Sequence, residues 1–488
     1  MPTLEDYQLV FCSNTFYGTR VCPVGFSYDI DALLNTFFQQ PPAWRLIHCA
    51  ISAHETEVPE SMQLSYYRRA RKAVLRSMHE SPTYKTVQTF YFLALFGTWK
   101  GQPEAGRPFL RYALDLIIKL RLDVDPDASP WLYHLNLTPR EKEDRRRAFW
   151  SVFYHMRYQQ AVSSNAVSAN INSSNINPPS AIVDVYPVFE AVPQTFWICE
   201  IYDFISKIKQ HHYNPPKSID GILASETLDF LTPTDHHRFH SQLGPLVRRS
   251  KLDILSLTMF LFSATCILNR PRLFLSGLKS FNPIYLGKDS QYIIANAIQQ
   301  CLDCAFRIVN LLPMLLEIID YNAAIVYPVF ESMIVFWYVW CRMDKMWWAV
   351  APRRKPEWGV LHGFVEGVLR FVRKVHDHEG STTGTTTPIL KCMESMLQEM
   401  VNVASGSTRS NVGESPQSVE SDDLAHVVLG MKIVSLDEGI GLETSRRDIH
   451  VTKEPHCYLG LLGMEVGGCV RWKGPTEESW RLFWKLYT

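Results

Sequence analysis

Three groups of residues in this 488-residue chain carry side chains whose chemistry depends on spacing. Cys301 and Cys304 form a Cys-x-x-Cys, the spacing that holds zinc or runs disulfide exchange when a second thiol pair or an activating charge stands near. Here the pair falls mid-helix on an apolar face with no second pair, so packed thiols are the expectation. His236, His237 and His240 offer imidazoles one helical turn apart, but the polar stretch around them reads as surface. The third group is TPREKEDRRRAFWSVFYHMRY, Thr138 to Tyr158, in which Arg145, Arg146 and Arg147 precede a dense aromatic run. Guanidinium groups at such density select carboxylates or phosphates as partners.

Other catalytic signatures are missing. The chain has no Walker-type phosphate loop, no strand-flanked Gly-x-Gly-x-x-Gly, no Gly-x-Ser-x-Gly and no His-Glu-x-x-His. Nothing in it argues for an enzyme. Lys plus Arg and Asp plus Glu both number 49, so the formal net charge is zero and no global field draws the protein to nucleic acid or membrane. The N-terminus MPTLEDYQLV lacks the basic-then-apolar build of a signal peptide, and the 11 cysteines are scattered. Free thiols in a reducing compartment are expected.

The elements that must position the arginines read as helices. Thr138, Pro139 and Glu141 supply a cap, a first helical residue and the third position of a capping box. Glu141 and Glu143 each precede an arginine by four residues, so both are expected to pair along the helix, with Phe149, Phe153 and Met156 buried. Before it, Trp44, Ile47, His48 and Ile51 line one helix. In SYYRRARKAVLR, Tyr66, Ala70, Ala73 and Val74 face in while Arg68, Arg69, Arg71 and Lys72 face out. Two further helices, one with Val87, Phe90, Tyr91, Ala94 and Leu95 inward and one with Phe109, Ala113, Leu116, Ile117 and Leu120, make a hairpin closed by DPDASP.

Residues 161–180 read as a loop rich in Ser and Asn. A later helix with Leu252, Leu255, Met259, Phe262 and Cys266 on its seam is expected to end where Pro271 forces an exit, and another spans 292–312. The segment 321–341 is long enough to cross a bilayer, but Glu331 and Pro328 interrupt it, so a buried helix is preferred.

In this order the elements resemble the middle homology region of fungal zinc-cluster transcription factors, the fungal-specific transcription factor domain of xylanolytic-activator type. The resemblance rests on YYRRARKAVL, on the hairpin TVQTFYFLALFGTWKGQPEAGRPFLRYALDLIIKLRLDVD, on LTPREKEDRRRAFW and on CILNRPRL, and covers about 41–350. Glu143, Arg145, Arg146, Arg147, Phe149 and Trp150 match the family's E-x-x-RRR-x-FW, with Glu143 one residue closer to the arginines. Arg270 and Pro271 match its His-Arg-Pro, with Asn269 in place of histidine, and Val87 and Gln88 match its "vQ" helix.

The resemblance implies an all-α fold: a large multi-helix regulatory domain of antiparallel hairpins with a partly disordered C-terminal tail. The expected division is an irregular segment 1–40, the regulatory domain 41–378, flexible linkers around a short helix at 379–423, and a tail at 424–488. It further implies a nuclear regulator of DNA-templated transcription, a homo- or heterodimeric partner of the same kind, and a small-molecule effector, with no membrane. Family members carry a six-cysteine cluster that binds zinc and reads DNA; only Cys12 and Cys22 precede residue 40, so this chain holds no zinc cofactor of that kind. DNA contact then needs a zinc cluster beyond this sequence or a partner. The alternative is a shortened paralogue that sequesters a relative. Within the arginine triplet, one stem is expected against Trp150, one guanidinium on an acid of a neighbouring helix, and one in solvent.

Overall fold

A computed structural model describes residues 2–16, 30–56, 58–100, 103–162, 167, 169–179, 199–208, 223, 251–316, 325–351, 355–378, 386–405 and two three-residue strands. Among them the fold is all-α, apart from strand β1 (Tyr458–Gly460) paired antiparallel with β2 (Met464–Val466). The N-terminal helices are α1 (Leu4–Phe16), α2 (Ile30–Asn35), α3 (Pro42–Glu55), α4 (Glu60–Arg76), α5 (Tyr84–Trp99), α6 (Pro103–Lys119) and α7 (Pro139–Val162). After a helical stretch at 199–208 come α8 (Lys251–Leu275), α9 (Lys288–Leu316), α10 (Val326–Cys341), the single turn α11 (Trp347–Val350), α12 (Trp358–His378) and α13 (Thr386–Ala404).

Three hairpins of consecutive helices, α3 with α4, α5 with α6 and α8 with α9, form the main packing units. Helix α5 is buried on every side from Val87 to Thr98, the signature of a central helix rather than an amphipathic one. Its start is fixed by Thr83, whose N–H donates to the Thr86 hydroxyl at 3.1 Å. Its close approach to α6 depends on Gly106, where a Cβ would stand 2.5 Å from the Ala94 carbonyl oxygen. Helix α7 lies across α5 and α6, and α10 packs against α8, α9, α12 and α13. A single apolar core joins them, from Val10 in α1 to Met400 in α13.

Several expectations change here. Within 1–40 the described residues 2–16 and 30–40 are not irregular: α1 packs on α3, and Asp6 accepts from the Tyr66 hydroxyl at 2.7 Å and from the Cys49 thiol at its backbone carbonyl. A periodic stripe is missing because buried polar residues, Asp6 and Ser13, share the inner face with Val10. The local signal was the Thr3–Asp6 capping box, with mutual bonds at 3.0 and 3.1 Å. Likewise the helix within 379–423 belongs to the domain. Ile389, Met393, Met396 and Met400 are buried at helical spacing, and Trp337 Nε1 of α10 donates to Glu399 at 2.7 Å.

Pro271 does not end its helix. Helix α8 runs on to Leu275 because burial of Leu273, Phe274 and Leu275 outweighs the one backbone bond that proline removes. Arg71 does not face solvent; it lies buried, over the rings of Tyr67 and Phe109. Within 161–180, residues 171–179 are fastened to the helices, with Ile171 and Ile176 buried. Segment 321–341 is a buried helix from Val326, and no helix among the described residues is long and apolar enough to cross a membrane. His236, His237, His240, Pro215, Pro216 and nearly all of 406–488 lie outside the described residues.

Candidate functional site

The N-terminal half of α7 is built as the capping motif requires. Thr138 N–H donates to Glu141 Oε2 at 2.9 Å, and Glu141 N–H donates back to the Thr138 hydroxyl at 3.2 Å. The Thr138 N–H and the Thr138 hydroxyl, which also donates to Oε2 at 2.8 Å, hold the Glu141 carboxyl below its usual range, and Glu141 therefore serves the cap rather than Arg145. Glu143 does pair with Arg147, Nε to Oε1 at 3.0 Å, and both side chains are fully buried.

The three arginines all turn toward the protein, with different main partners, although Arg146 Nη1 also comes within 3.7 Å of the Glu143 carboxylate that holds Arg147. Arg145 donates from Nη2 to the carbonyls of Leu120 (2.7 Å) and Arg121 (3.2 Å), the exposed acceptors at the end of α6. That end is a Schellman turn: Leu122 N–H reaches Ile117 O, Arg121 N–H reaches Ile118 O, and Arg121 takes the left-handed conformation at φ 54°. Arg146 grips Asp125 with both Nε (2.9 Å) and Nη2 (2.8 Å), and also pairs with Asp127. Arg147 stays within α7 on Glu143. The expected division is thus replaced: the acid partner lies in the turn after α6, and no member of the triplet is left to solvent. Trp150 instead donates its Nε1–H to the Asn177 carbonyl at 3.0 Å, while its ring meets Phe149 and Phe153 edge-on.

Asp125 is the hub. Besides Arg146, its carboxylate accepts from Asp127 N–H (2.9 Å) and Asn177 N–H (2.9 Å), and its own N–H donates to Asn175 O (3.2 Å). Burial alone would raise its pKa, but the Arg146 hydrogen bonds and the two backbone donors prevail and hold it at about 2. Asp127 is lowered too, by hydrogen bonds from Lys142 and then Arg146. DPDASP is thus more than a helix terminator. The sequence signal for its second role is an Asp-x-Asp turn facing an arginine run twenty residues on.

The second matched pair lies elsewhere. Fully buried Arg270 on α8 pairs with Glu331 on α10, and burial lowers Arg270 to about 10. Asn269, beside it, donates to Gln300 Oε1 of α9 at 2.8 Å. Pro271 follows within the helix. Glu331, the charge that interrupts the apolar segment 321–341, is the acid of this pair. The two arginine sites are separate: Tyr158, where α7 meets α10 at Tyr327, is about 18 Å along the helix from Arg146.

Of the two cysteines ahead of residue 40, Cys12 is exposed on α1 and Cys22 lies outside the described residues; two thiols do not fit a six-cysteine zinc cluster. No family model matches the chain, and no curated protein or solved structure matches it either.

Proposed function

We propose that the chain is a regulatory region of the fungal zinc-cluster transcription factor type: nuclear, non-catalytic, and acting on DNA-templated transcription with a related factor as dimer partner. The observation that carries the proposal is the Arg146–Asp125 clamp, with Arg145 on the end of α6 and Trp150 on Asn177. Of the residues that resemble the family signature, Arg145, Arg146 and Trp150 serve as one internal fastening of three segments. Guanidinium groups held by the protein's own carboxylates and carbonyls are not a phosphate-reading surface. DNA contact is therefore assigned to a zinc-cluster head outside this sequence or to the partner.

Such a clamp is also a place where an effector can act. An anionic small molecule that competes with Asp125 for Arg146 would release residues 171–179 and the turn after α6, which is differential binding to two states of the domain. The test is transcriptional: tethered to a heterologous DNA-binding domain at a reporter promoter, the chain should change output. Output equal to that of the tether alone would reject the proposal.

The alternative, a sequestering module without its own DNA binding, shares the inward-facing arginines. It separates in a co-expression assay: a sequestering chain lowers the output of a full-length relative without itself acting when tethered.

A further inference from the structure

Helices α3 and α4 form an antiparallel hairpin, and α1 marks one level on both. Asp6 of α1 accepts from the Cys49 thiol of α3 at its carbonyl (3.8 Å) and from the Tyr66 hydroxyl of α4 at Oδ1 (2.7 Å). Cys49 and Tyr66 therefore stand side by side, facing α1. Arg45 lies one turn back along α3 and Arg69 one turn on along α4, on the same faces. Because the helices run in opposite directions, both steps go the same way, by about 6 Å and about 4.5 Å. The two guanidinium groups thus lie at one level of adjacent helices. In agreement, burial and then Asp6 push the Cys49 thiol up to about 12, and the charges of Arg69 and Arg45 both oppose them.

Neither arginine is matched by an acid. Arg45 is partly buried; its Nε and Nη1 are shut off from solvent, and among the described residues nothing accepts from them. Arg69 is exposed and lies over the Tyr66 ring, with Cζ 5.3 Å from the centroid and no ion pair among the described residues. The carboxylate at this junction is already engaged: Asp6 receives Tyr66 at Oδ1 and the Thr3 N–H at Oδ2, 3.0 Å away. A guanidinium cannot shed its charge, so leaving its buried donors unmatched is costly. Elsewhere in this protein such groups are matched, Arg146 by Asp125 and Arg147 by Glu143. The donors of Arg45 call for an acceptor that the chain does not supply.

We propose that Arg45 and Arg69 form a binding site for a phosphate group where α3 and α4 meet beside α1. A carboxylate has two oxygens and is filled by one arginine fork, as Asp125 is by Arg146. Two forks at one level suit the three acceptor oxygens of a phosphate monoester and its charge of about −1.5 to −2. Arg45 supplies Nε and Nη1 from the buried side, and Arg69 supplies its fork from the exposed side. Lys72, exposed one turn further along α4, adds a third positive charge. The ligand is free phosphate or a phosphomonoester. This site is separate from the Arg146–Asp125 clamp and does not depend on the transcriptional reading.

The test is calorimetric titration of the full chain with inorganic phosphate and, separately, with phenyl phosphate, against sodium chloride at matched ionic strength. Arg45→Met and Arg69→Met should each weaken phosphate binding about tenfold or more. Arg76→Met, which removes an exposed charge two turns further along α4, should change it by less than about twofold. Phenyl phosphate binding at least as tightly as inorganic phosphate assigns the site to a phosphomonoester, and weaker binding assigns it to free phosphate. Without phosphate, Arg45→Met should unfold at no lower urea concentration than wild type, because it removes unmatched donors and keeps an apolar stem. A loss of stability there would show that the guanidinium already has a partner, and would overturn the proposal. So would wild type that binds nothing at about 10 mM phosphate, enough to fill a site of millimolar affinity. Equal weakening by Arg76→Met and Arg69→Met, the mark of a diffuse field, would overturn it too.

Discussion

Arg146 and Asp125 are joined by two parallel hydrogen bonds of 2.9 and 2.8 Å, and the same carboxylate receives the Asn177 N–H. One ion pair therefore holds three chain segments: α7, the turn after α6, and residues 171–179. Removing the guanidinium in Arg146→Ala leaves Asp125 charged and almost wholly buried. A loss of about 3 kcal/mol is expected in urea unfolding. Arg146→Lys should lie between, because an ammonium keeps the charge but not the two-pronged geometry. An Arg146→Lys variant as stable as wild type would show that the two-pronged geometry contributes nothing.

The pH dependence of this clamp has a fixed sign. Asp125 is held at about 2 against an ordinary 3.8, so its contribution is complete above the unfolded value and is lost as pH falls from about 4 toward 2. The stability difference between wild type and Asp125→Asn should be flat from pH 5 to 7 and shrink below pH 4. A difference that grows on acidification contradicts the clamp.

Three histidines, His48 and His155 buried and His54 partly buried, add a second acid-sensitive window. His48, His54 and His155 are lowered by burial from 6.5 to about 3. Unfolding between those values takes up protons, so stability is full above pH 6.5 and falls below it, by roughly 1.4 kcal/mol per pH unit for each group. His48 sits between the Trp44 and Phe92 rings. His48→Phe should flatten the slope by about one proton, measured from urea midpoints across pH 5 to 7. An unchanged slope would mean that His48 titrates alike in both states.

The buried Arg270–Glu331 pair joins α8 to α10. Arg270→Met alone strands Glu331 in the core and should cost about 3–5 kcal/mol, whereas Arg270→Met with Glu331→Leu should recover most of that loss. Additive losses in this double-mutant cycle would show that the two side chains do not interact.

At the end of α6, Arg121 occupies a left-handed position that favours glycine. Its carbonyl, not its side chain, meets Arg145. Arg121→Gly should therefore stabilise the protein by about 0.5–1 kcal/mol, read as a higher melting temperature. A fall would show that the Arg121 side chain has a role of its own.

The all-α fold was legible because Val87, Phe90, Tyr91 and Ala94, or Phe149, Phe153 and Met156, repeat at helical spacing and are all buried. Period fails where inner faces carry polar groups, as in α1 with Asp6 and Ser13, or where a helix tolerates a proline, as α8 does at Pro271. The arginines were legible as a group, but not their partners. Asp125 lies 21 residues from Arg146 in a turn and Glu331 lies 61 from Arg270, and side-chain chemistry alone does not choose among the chain's 49 acids. Burial chooses, and burial is a property of the fold.

The most direct measurement is reporter transcription from the chain tethered to a heterologous DNA-binding domain. It is made for wild type, for Arg146→Ala, and for Val368→Ala, a buried α12 substitution whose urea stability is matched by temperature. The account predicts that wild type changes output relative to the tether alone, and that Arg146→Ala alters that output more than Val368→Ala does at equal stability. Wild-type output indistinguishable from the tether would contradict it.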